Sequence, residues 1–512
     1  MERKTVGVRD LTIYDVISNN ARLRPNQDSI VFNKVRLTHQ GYKEKCDQVA
    51  SGLLEAGVTV GDRLAVVAHN SHEYMILYGA AAKIGAIVLP VNWRLKPEEV
   101  AFILSDCEPK LVFAGRDHQS TVSALVREMS FVERCYNIGG GETQEGFLPF
   151  ESLCSSSKIQ PEVNVAPDTG FVIMHTAAVE GHPRGAILSQ TNVIFGNLLN
   201  MCRYTLSPAD CHICFLPLFH VGGFGTAMAV MHAGGKNVVL ERFDPELTIR
   251  LIQRERGTIF INFAPILKTL MDQYENGSYD LTSLRHVMGL DHPENIQRFS
   301  RLFPHAQYWT GYGQTEVAGV SFSLFEERPG SAGKPSYMAK VVLFDEYDRE
   351  VPTGTLGEIC VRSPTVFLGY WGREEDNVQT FRNGWHHTGD MGRFDQDGYL
   401  WYVKRKSVKE LIKPGGENVY PAEVEKAILE HEAVAEVSVI GVPDKHWGEA
   451  IKAVCVLKNG KTLEPQELID FVASKIARYK KPHHVIYVDA LPKTADGEID
   501  RDQVKKAHGG HR

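Results

Sequence analysis

Short apolar runs alternate with longer amphipathic segments through the first part of the chain. Arg63–Ala68 (R-L-A-V-V-A) predicts a buried strand, Ser71 is the expected N-cap of a helix that ends near Ile84, and Ala86–Pro90 predicts the next strand. Further strands of the same kind are predicted at 110–114, 237–240 and 258–263. This strand–helix–strand order favours parallel sheets that are covered by helices.

Beyond about residue 330 the pattern changes to short strands separated by turn signals, as in T-G-T-L-G-E-I-C-V-R. We expect a β-rich subdomain over about 330–403. From Pro421 a helix, two strands and a second helix at Pro465–Arg478 predict a compact α+β unit. The charged stretch Val403–Glu410 lies between these regions and is the expected boundary. The predicted domains are therefore residues 1–403 and 404–512.

Composition excludes several classes of function. The chain has 512 residues, enough for about two to four domains, and a net charge of -7 that argues against binding nucleic acid or a membrane surface. No apolar run approaches the roughly 18 residues that would predict a membrane span, and no secretory signal follows the N-terminal methionine. Nine cysteines, an odd number, are typical of reduced thiols, so we expect a cytoplasmic protein.

Cys211 and Cys214, in C-H-I-C, raise the question of a zinc site, because thiolates at that spacing are common zinc ligands. The surrounding run C-H-I-C-F-L-P-L-F is typical of a buried strand, and no second cysteine pair lies nearby in the sequence. We therefore predict a structural strand here rather than a metal centre.

Three motifs carry the chemistry: Tyr312–Glu316 (Y-G-Q-T-E), His387–Asp390 (H-T-G-D) and Gly415–Glu425 (G-G-E-N-V-Y-P-A-E-V-E). In this order they resemble the adenylate-forming superfamily, specifically the AMP-dependent carboxylate–CoA ligases or acyl-CoA synthetases, over nearly the full length. The resemblance implies an α/β fold. Its large N-terminal AMP-binding and acyl-pocket domain has stacked α/β sheet layers and a β-rich subdomain, and a small, mobile α+β C-terminal lid follows, hinged near Lys404. Members form a carboxyl-adenylate from ATP, release pyrophosphate, and rotate the lid to pass the acyl group to CoA.

The resemblance also assigns a nucleotide site. Asp390 and Arg405 correspond to the residues that hold the ribose hydroxyls, and an acceptor beside a fork of donors suits a vicinal diol. Tyr312 corresponds to the residue that stacks on adenine, and Thr315 to a hydroxyl donor to the α-phosphate. Glu316 corresponds to the carboxylate that orients Mg²⁺.

Two further sets of residues follow from the resemblance. The loop that lines the pantetheine tunnel corresponds to Gly415–Tyr420, and the expected cofactor contacts there are Gly415, Gly416, Glu417 and Trp447. The carboxylate pocket corresponds to the stretch that ends at Gly223, and its expected residues are His220, Gly223, Asn262 and Ala264. Gly289 completes the cofactor-binding set, in a stretch (M-G-L-D) that departs from the family's glycine pair.

Two departures from the family pattern affect the phosphate chemistry. The loop T-S-G-T-T-G-x-P-K-G is here T-A-A-V-E-G-H-P-R-G, which keeps Thr176, replaces the lysine by Arg184 and introduces Glu180. The motif P-x-T-x-x-G-K ends in a catalytic lysine, and Glu498 stands at that position. A like-charge pair about 4 Å apart is worth on the order of 4 kcal/mol at an effective dielectric of 20, and charge that develops on phosphate needs cationic stabilisation. The candidate catalytic residues are therefore Thr176, Arg184, Thr315, Glu316 and Glu498, with ATP-dependent adenylation impaired.

Three hypotheses remain open at this point. The chain is an acyl-CoA synthetase with weakened adenylation, an ATP-independent acyl transferase or hydrolase acting on acyl-CoA or acyl-AMP, or a non-catalytic binding protein. The resemblance implies AMP or ATP, CoA and Mg²⁺ as cofactors, and a small carboxylic acid or its CoA thioester as the partner. No nucleic acid and no membrane span are expected, and a homodimer is left open.

Overall fold

A computed structural model describes residues 7–154, 163–179, 182–405, 411–417, 419–494 and 499–510, with only the backbone described at 177–179, 182, 404 and 405. The helices are α1 (Ile13–Leu23), α2 (His39–Glu55), α3 (His72–Ile84), α4 (Pro97–Cys107), α5 (Gln119–Val126), α6 (Gln190–Tyr204), α7 (Val221–His232), α8 (Pro245–Glu255), α9 (Ile266–Glu275), α10 (Pro293–Leu302), α11 (Glu374–Thr380), α12 (Pro421–Leu429), α13 (Pro465–Lys475) and α14 (Arg501–His508). No helix within the described ranges combines the length and the apolar character that a bilayer crossing needs.

The strands are β1 (Asp28–Phe32), β2 (Val35–Thr38), β3 (Arg63–Val67), β4 (Ile87–Pro90), β5 (Leu111–Ala114), β6 (Arg134–Asn137), β7 (Phe147–Pro149), β8 (Gly170–Val179), β9 (His182–Ser189), β10 (Cys211–Cys214), β11 (Lys236–Val239), β12 (Ile259–Phe263), β13 (His286–Leu290), β14 (Gln307–Gln314), β15 (Val317–Leu324), β16 (Lys334–Pro335), β17 (Lys340–Phe344), β18 (Gly357–Arg362), β19 (Gly369–Tyr370), β20 (His386–Phe394), β21 (Leu400–Arg405), β22 (Val434–Asp444), β23 (Gly448–Leu457) and β24 (His484–Tyr487).

Two large sheets form the body of the protein. One has nine strands in the order β16-β15-β14-β13-β12-β10-β11-β1-β2, and the other has eight in the order β19-β9-β8-β4-β3-β5-β6-β7. Strands β4 and β5 are buried along their whole length and pair in parallel with β3, as expected where helices cover both faces of a sheet. One core cluster joins both sheets and the helices between them, including Val66, Met75, Cys214 and Phe224. The predicted α/β class with stacked sheet layers is confirmed.

The local predictions for β3, α3 and β4 are also confirmed. Ser71 caps α3 by accepting a hydrogen bond from the backbone N–H of Tyr74 at 3.1 Å. The helix ends at Gly85, whose φ of +73° is a left-handed conformation that glycine adopts without strain. Cys211 and Cys214 lie in β10, in which every residue is buried, so the predicted structural strand is present.

The region after residue 330 forms a four-stranded antiparallel sheet, in the order β17-β18-β20-β21. It is not separate from the body, because β16 pairs with β15 in the nine-stranded sheet and β19 pairs with β9 in the eight-stranded sheet. The C-terminal region is α+β, with the three-stranded sheet β22-β23-β24 and a core of its own. Helix α13 ends at Lys475 rather than at Arg478. The boundary at 403/404 stays a prediction, since residues 406–410 lie outside the described chain.

A buried carboxyl group makes the stability of the body dependent on pH. Glu73, in the first turn of α3, is 5% exposed, and burial raises the pKa of its carboxyl from 4.5 to about 7. The backbone N–H of Gly139 donates to this carboxyl and offsets part of the shift. Because the pKa is higher in the folded state, the contribution of Glu73 is fully present below pH 4.5 and is lost as the pH rises through about 7.

We expect Glu73→Gln to stabilise the protein at pH 8 by about 3 kcal/mol, because the amide removes the cost of ionising a buried acid whose pKa is raised from 4.5 to about 7. The advantage should shrink to less than about 1 kcal/mol at pH 5, where the folded carboxyl keeps its proton. Urea unfolding of both proteins at the two pH values measures the difference. An equal advantage at both would show that Glu73 is not the titrating group.

Candidate active site

A cavity of about 490 Å³ opens at the carboxyl ends of the parallel strands β12 and β13. Its other walls are α6, the N-terminus of α7, the hairpin of β14 and β15, and a C-terminal loop that contributes Lys413, Gly416 and Trp447. Small-molecule sites in open α/β sheets lie at this edge, and the volume is in the range of ligand pockets. The cavity is therefore the candidate active site.

Five of the residues predicted for the acyl and nucleotide sites line this cavity: His220, Ala264, Gly289, Tyr312 and Thr315. His220 is the N-cap of α7, and its Nδ1 accepts a hydrogen bond from the backbone N–H of Gly222 at 3.2 Å. Burial lowers the pKa of His220, so the imidazole is neutral near pH 7. A neutral, half-buried His220 contributes shape and a fixed dipole to the wall, not a charge.

Two other predicted pocket residues lie behind the wall. A Cβ on Gly223 would come within 2.4 Å of the carbonyl oxygen of Pro217, so this glycine permits close packing rather than ligand contact. Asn262 is fully buried, and its Nδ2 donates to Oδ2 of Asp291 at 3.2 Å. Asn262 thus orients Asp291, which does line the cavity.

The residues predicted for ribose and adenine are brought together by β14 and β20. Asp390, only 4% exposed, accepts hydrogen bonds from the hydroxyl of Tyr312 and from Nε2 of Gln314, both at 2.6 Å. Tyr312 and Gln314 line the cavity. Arg405 lies directly opposite Asp390 in the pairing of β20 with β21, although its side chain is outside the described part of the structure. The carboxylate is held rigidly beside the cavity, as recognition of a diol requires.

Glu358 fixes the turn that carries Asp390, a role that sequence reasoning missed. Its Oε1 accepts from the backbone N–H of Gly389 at 3.0 Å, and its Oε2 lies 3.0 Å from Nδ1 of His387. Thr388 adds a second support, because its hydroxyl accepts from the backbone N–H of Asp390 at 3.1 Å. Gln314 and Glu358 lie inside the sequence stretches Y-G-Q-T-E and G-E-I-C-V-R. This position is the sequence signal that could have marked them as residues supporting the site.

The residues predicted to act in the phosphate chemistry also lie close together, around Tyr370. Thr176 and Arg184 face each other in the hairpin of β8 and β9. Glu316 is 7% exposed and accepts at Oε1 from the hydroxyls of Thr176 (3.2 Å) and Tyr370 (2.8 Å). The guanidinium of Arg184 lies 4.0 Å from the centre of the Tyr370 ring, and its Nη1 is 3.2 Å from Asp376. The Arg184 charge is therefore partly balanced by a carboxylate.

Some predicted residues cannot be placed. Glu180 and Glu498 lie outside the described residues, as do the side chains of Lys404 and Arg405. Five residues before Glu498 in the sequence, the Lys493 Nζ lies 2.7 Å from Glu436, so this lysine is already paired within the C-terminal region. Thr315 lies at the cavity wall, and its contact with the α-phosphate stays a prediction.

The C-terminal loop enters the cavity next to β12. Gly416 has a φ of +82°, and a Cβ there would come within 2.6 Å of the Phe263 ring, so no other residue fits without movement. The backbone N–H of Gly415 donates to the carbonyl of Trp447 at 2.9 Å. Glu417 lies 2.5 Å from Nη2 of Arg94 and is engaged with the body. Gly416 and Trp447 are thus the members of the predicted pantetheine set that line the cavity.

Two cations, one buried and one half-buried, hold the C-terminal region against the body. Lys480, 6% exposed, pairs with Glu99 of α4 and with Glu423 of α12. Arg94 pairs with Glu417 and lies 5.7 Å from the centre of the Tyr479 ring. Neither cation was predicted from the sequence, because their partners are distant along the chain. We call this contact, formed by Arg94, Glu99, Glu417, Glu423 and Lys480, the latch.

We expect Lys480→Met to slow the thioester half-reaction that the resemblance implies by at least about 100-fold, because breaking a buried ion pair leaves two carboxylates unpaired and costs about 3–5 kcal/mol. Adenylation should change by less than about threefold if it occurs in another lid orientation. Separate quenched assays of adenylation and of thioester formation measure the difference between the two effects. The matched control is Lys475→Met, which removes an exposed pair with Glu430 within the C-terminal region. An equal loss of rate in both half-reactions would show that the latch supports folding rather than thioester formation.

Comparison with known proteins agrees with the geometry. The sequence profile of the AMP-binding enzyme family matches residues 17–371, and that of the AMP-binding enzyme C-terminal domain matches residues 423–498. Indoleacetate–CoA ligase of Aromatoleum aromaticum is 32% identical, over 96% of this chain and 97% of that protein.

Two solved structures are similar over most or all of their length. A candidate long-chain-fatty-acid CoA ligase from Rhodopseudomonas palustris is 42% identical, with a TM-score of 0.74 over 78% of this chain and 100% of that chain. An o-succinylbenzoate CoA synthetase from Bacillus subtilis, solved with a product analogue, is 26% identical, with a TM-score of 0.85 over 98% of this chain and 99% of that chain. The two enzymes' names point to different acids, so the acyl group has to be read from this chain's own cavity.

Proposed function

The chain belongs to the AMP-binding enzyme family, and on that premise we propose that it is a carboxylate–CoA ligase of the AMP-forming type. In the first half-reaction a carboxylate oxygen attacks the α-phosphorus of ATP, and pyrophosphate leaves. In the second, the thiol sulfur of CoA attacks the acyl carbon, and AMP leaves. The net products are the acyl-CoA thioester, AMP and pyrophosphate.

The observation that carries this proposal is that one cavity collects the three required surfaces. Tyr312 and Thr315 come from the nucleotide motif, His220 and Ala264 from the acyl pocket, and Gly416 from the C-terminal loop. An adenylate and a thiol can meet only where all three surfaces face one space. Orientation of two reactants in such a space supplies a large part of the rate enhancement of group transfer.

The residues present fit the expected cofactors. Asp390 is rigidly held next to the cavity and suits a ribose diol, while the Tyr312 ring suits the face of a base. The hydrogen bonds that Glu316 accepts from described residues both go to Oε1, which leaves Oε2 for an ion. Mg²⁺, when bound, would neutralise phosphate oxygens, and Glu316 is the group that would hold it. A pantetheine arm would enter along the C-terminal loop, where Gly416 and Trp447 line the cavity.

We further propose that adenylation is the slow half-reaction. Arg184, which replaces the lysine of the phosphate loop, lies against Asp376 and Tyr370 rather than free to meet a triphosphate. Glu498 puts negative charge where the family has its adenylation lysine. The second half-reaction needs neither group, because no pyrophosphate leaves in it, and the departing AMP would be held at its ribose by Asp390 and at its phosphate by Thr315.

The same two features support a second candidate, in which the chain transfers a preformed acyl group and never uses ATP. Acyl-AMP or acyl-CoA would then be the substrate, and the latch and the C-terminal loop would serve the thiol alone. The two candidates differ only in the first half-reaction.

The test separates the half-reactions. Acid-dependent exchange of labelled pyrophosphate into ATP is measured with indoleacetate, ferulate, palmitate and several dicarboxylic acids, and the formation of acyl-CoA is measured from synthetic acyl-AMP and CoA. Slow exchange with fast thioester formation is expected. Thioester formation without exchange from any acid selects the second candidate. Equal and rapid half-reactions overturn the claim about adenylation, and inactivity in both overturns the ligase.

A further inference from the structure

The cavity of the candidate active site contains a buried arginine that has no carboxylate partner among the described residues. Arg203, in the last turn of α6, is 5% exposed and lines the cavity. Its Nη1 donates to the hydroxyl of Tyr204 and approaches the sulfur of Met288, each at 3.2 Å. Within the described ranges no Asp or Glu oxygen lies within ion-pair distance of Arg203, and its Nε and Nη2 have no hydrogen-bond acceptor.

An unpaired guanidinium at this depth is unusual, because a buried charge is costly unless it is paired and hydrogen-bonded. The Phe322 ring, 3.9 Å from the guanidinium carbon, offsets part of that cost through a cation–π contact. Arg184, the other buried arginine near the cavity, already has Asp376. Arg203 therefore keeps donors that only a ligand can satisfy.

A second, independent observation lies on the same helix. Asn197, 1% exposed, lines the cavity two turns before the end of α6, and its Nδ2 also lacks a described acceptor. Asn200 lines the cavity between Asn197 and Arg203, so one face of α6 presents two amides and a cation. Across from them, Gly319 has no side chain, and a Cβ there would lie 3.5 Å from Nη2 of Arg203.

The acidic residue on the cavity wall is not the missing partner. Asp291 accepts from Nδ2 of Asn262 (3.2 Å), from Nδ2 of Asn295 (2.6 Å) and from the backbone N–H of His292 (2.8 Å). Its oxygens are therefore committed to β12 and α10. The same cavity is also lined by apolar side chains such as Phe224, Ile261 and Phe263.

From this arrangement we infer that the substrate is an acid with a second carboxylate, separated from the reacting one by an apolar spacer. The distal carboxylate pairs with the Arg203 guanidinium, and the amides of α6 orient it. A planar fork of donors matches a carboxylate in a bidentate way, which gives both energy and direction. This inference rests on the proposed ligase function and names its substrate class.

The experiment compares matched acids. Octanedioate is paired with nonanoate, and 4-carboxyphenylacetate with 4-isopropylphenylacetate. Acyl-CoA formation from ATP, Mg²⁺ and CoA gives kcat/KM for each acid, and thermal-shift titration of the protein with each acid gives binding without turnover. We expect the diacid of at least one pair to be preferred by about 100-fold or more in kcat/KM, since charged hydrogen bonds are worth about 1.5–3 kcal/mol each.

Arg203→Met should abolish that preference while the neutral acid of the pair stays within about threefold. Arg203→Lys should restore part of it, because a point charge lacks the fork. Arg254→Met is the matched control, since Arg254 also lies in the last turn of a helix but is exposed and paired with Glu255. An unchanged melting temperature, or a higher one, shows that Arg203→Met folds.

Three outcomes overturn the inference: no preference for either diacid, a preference that survives in Arg203→Met, or a preference that Arg254→Met also removes. If no acid gives a thioester, the proposed function fails, and the thermal-shift titration still decides the role of Arg203. Diacid binding that is lost in Arg203→Met would then support the recognition site without the reaction.

Discussion

Glu498→Lys is expected to raise the acid-dependent exchange of pyrophosphate into ATP by about 100- to 1000-fold. A charge about 4 Å from a phosphate or carboxylate oxygen interacts by on the order of 4 kcal/mol at an effective dielectric of 20, and each 1.4 kcal/mol is a factor of ten in rate. The substitution removes a repulsion and adds an attraction where negative charge gathers in the transition state. Thioester formation from acyl-AMP and CoA should change by less than about threefold.

Two control variants make this result specific. Glu498→Gln removes the repulsion without adding a cation, so its gain in exchange should be about tenfold. Lys493→Met should leave exchange unchanged, because Lys493 is paired with Glu436 and does not stand in for the missing lysine. If Glu498→Lys leaves exchange unchanged while thioester formation stays normal, adenylation is not limited by the charge at this position.

The parts of the fold that followed from sequence are those with a local signal. The strand β3, the cap at Ser71 and the buried run at Cys211–Cys214 each have an apolar period or a capping side chain within a few residues. The pairing of β19 with β9 has no such signal, since β19 is only two residues long. Its position is decided by tertiary packing around Tyr370, which no local pattern encodes.

The residues of the candidate site also divide into those with a local sequence signal and those without one. Residues inside dense motifs, such as Tyr312, Glu316 and Asp390, could be proposed from their position, and the structure joins Tyr312 to Asp390 by a hydrogen bond. The latch could not, because Lys480 and Glu99 are far apart in sequence and each is ordinary in its own helix or turn. Arg203 is the clearest case. A basic residue in the last turn of a helix normally complements the helix dipole, and only burial without a carboxylate partner among the described residues distinguishes Arg203.

Asp390→Ala is expected to lower both half-reactions by about 100- to 1000-fold. The alanine removes an acceptor for two ribose hydroxyls, and each hydrogen bond to a charged group is worth about 1.5–3 kcal/mol. It also leaves the hydroxyl of Tyr312 and Nε2 of Gln314 without the oxygen that each contacts at 2.6 Å. The AMP group is part of the product of the first half-reaction and of the reactant of the second. The rates of both half-reactions should therefore fall.

The measurement is again the pair of half-reactions, together with calorimetric titration by AMP, in which Asp390→Ala should weaken binding by at least 100-fold. The matched control is Asp397→Ala, since Asp397 lies between the same two strands, β20 and β21, and pairs with Arg328 at the surface. A loss confined to pyrophosphate exchange would mean that Asp390 acts on the triphosphate rather than on the nucleoside. A loss in both half-reactions would show that Asp390 belongs to a nucleotide site that both steps use. The selective gain in Glu498→Lys would show that only the first step requires a cation at position 498.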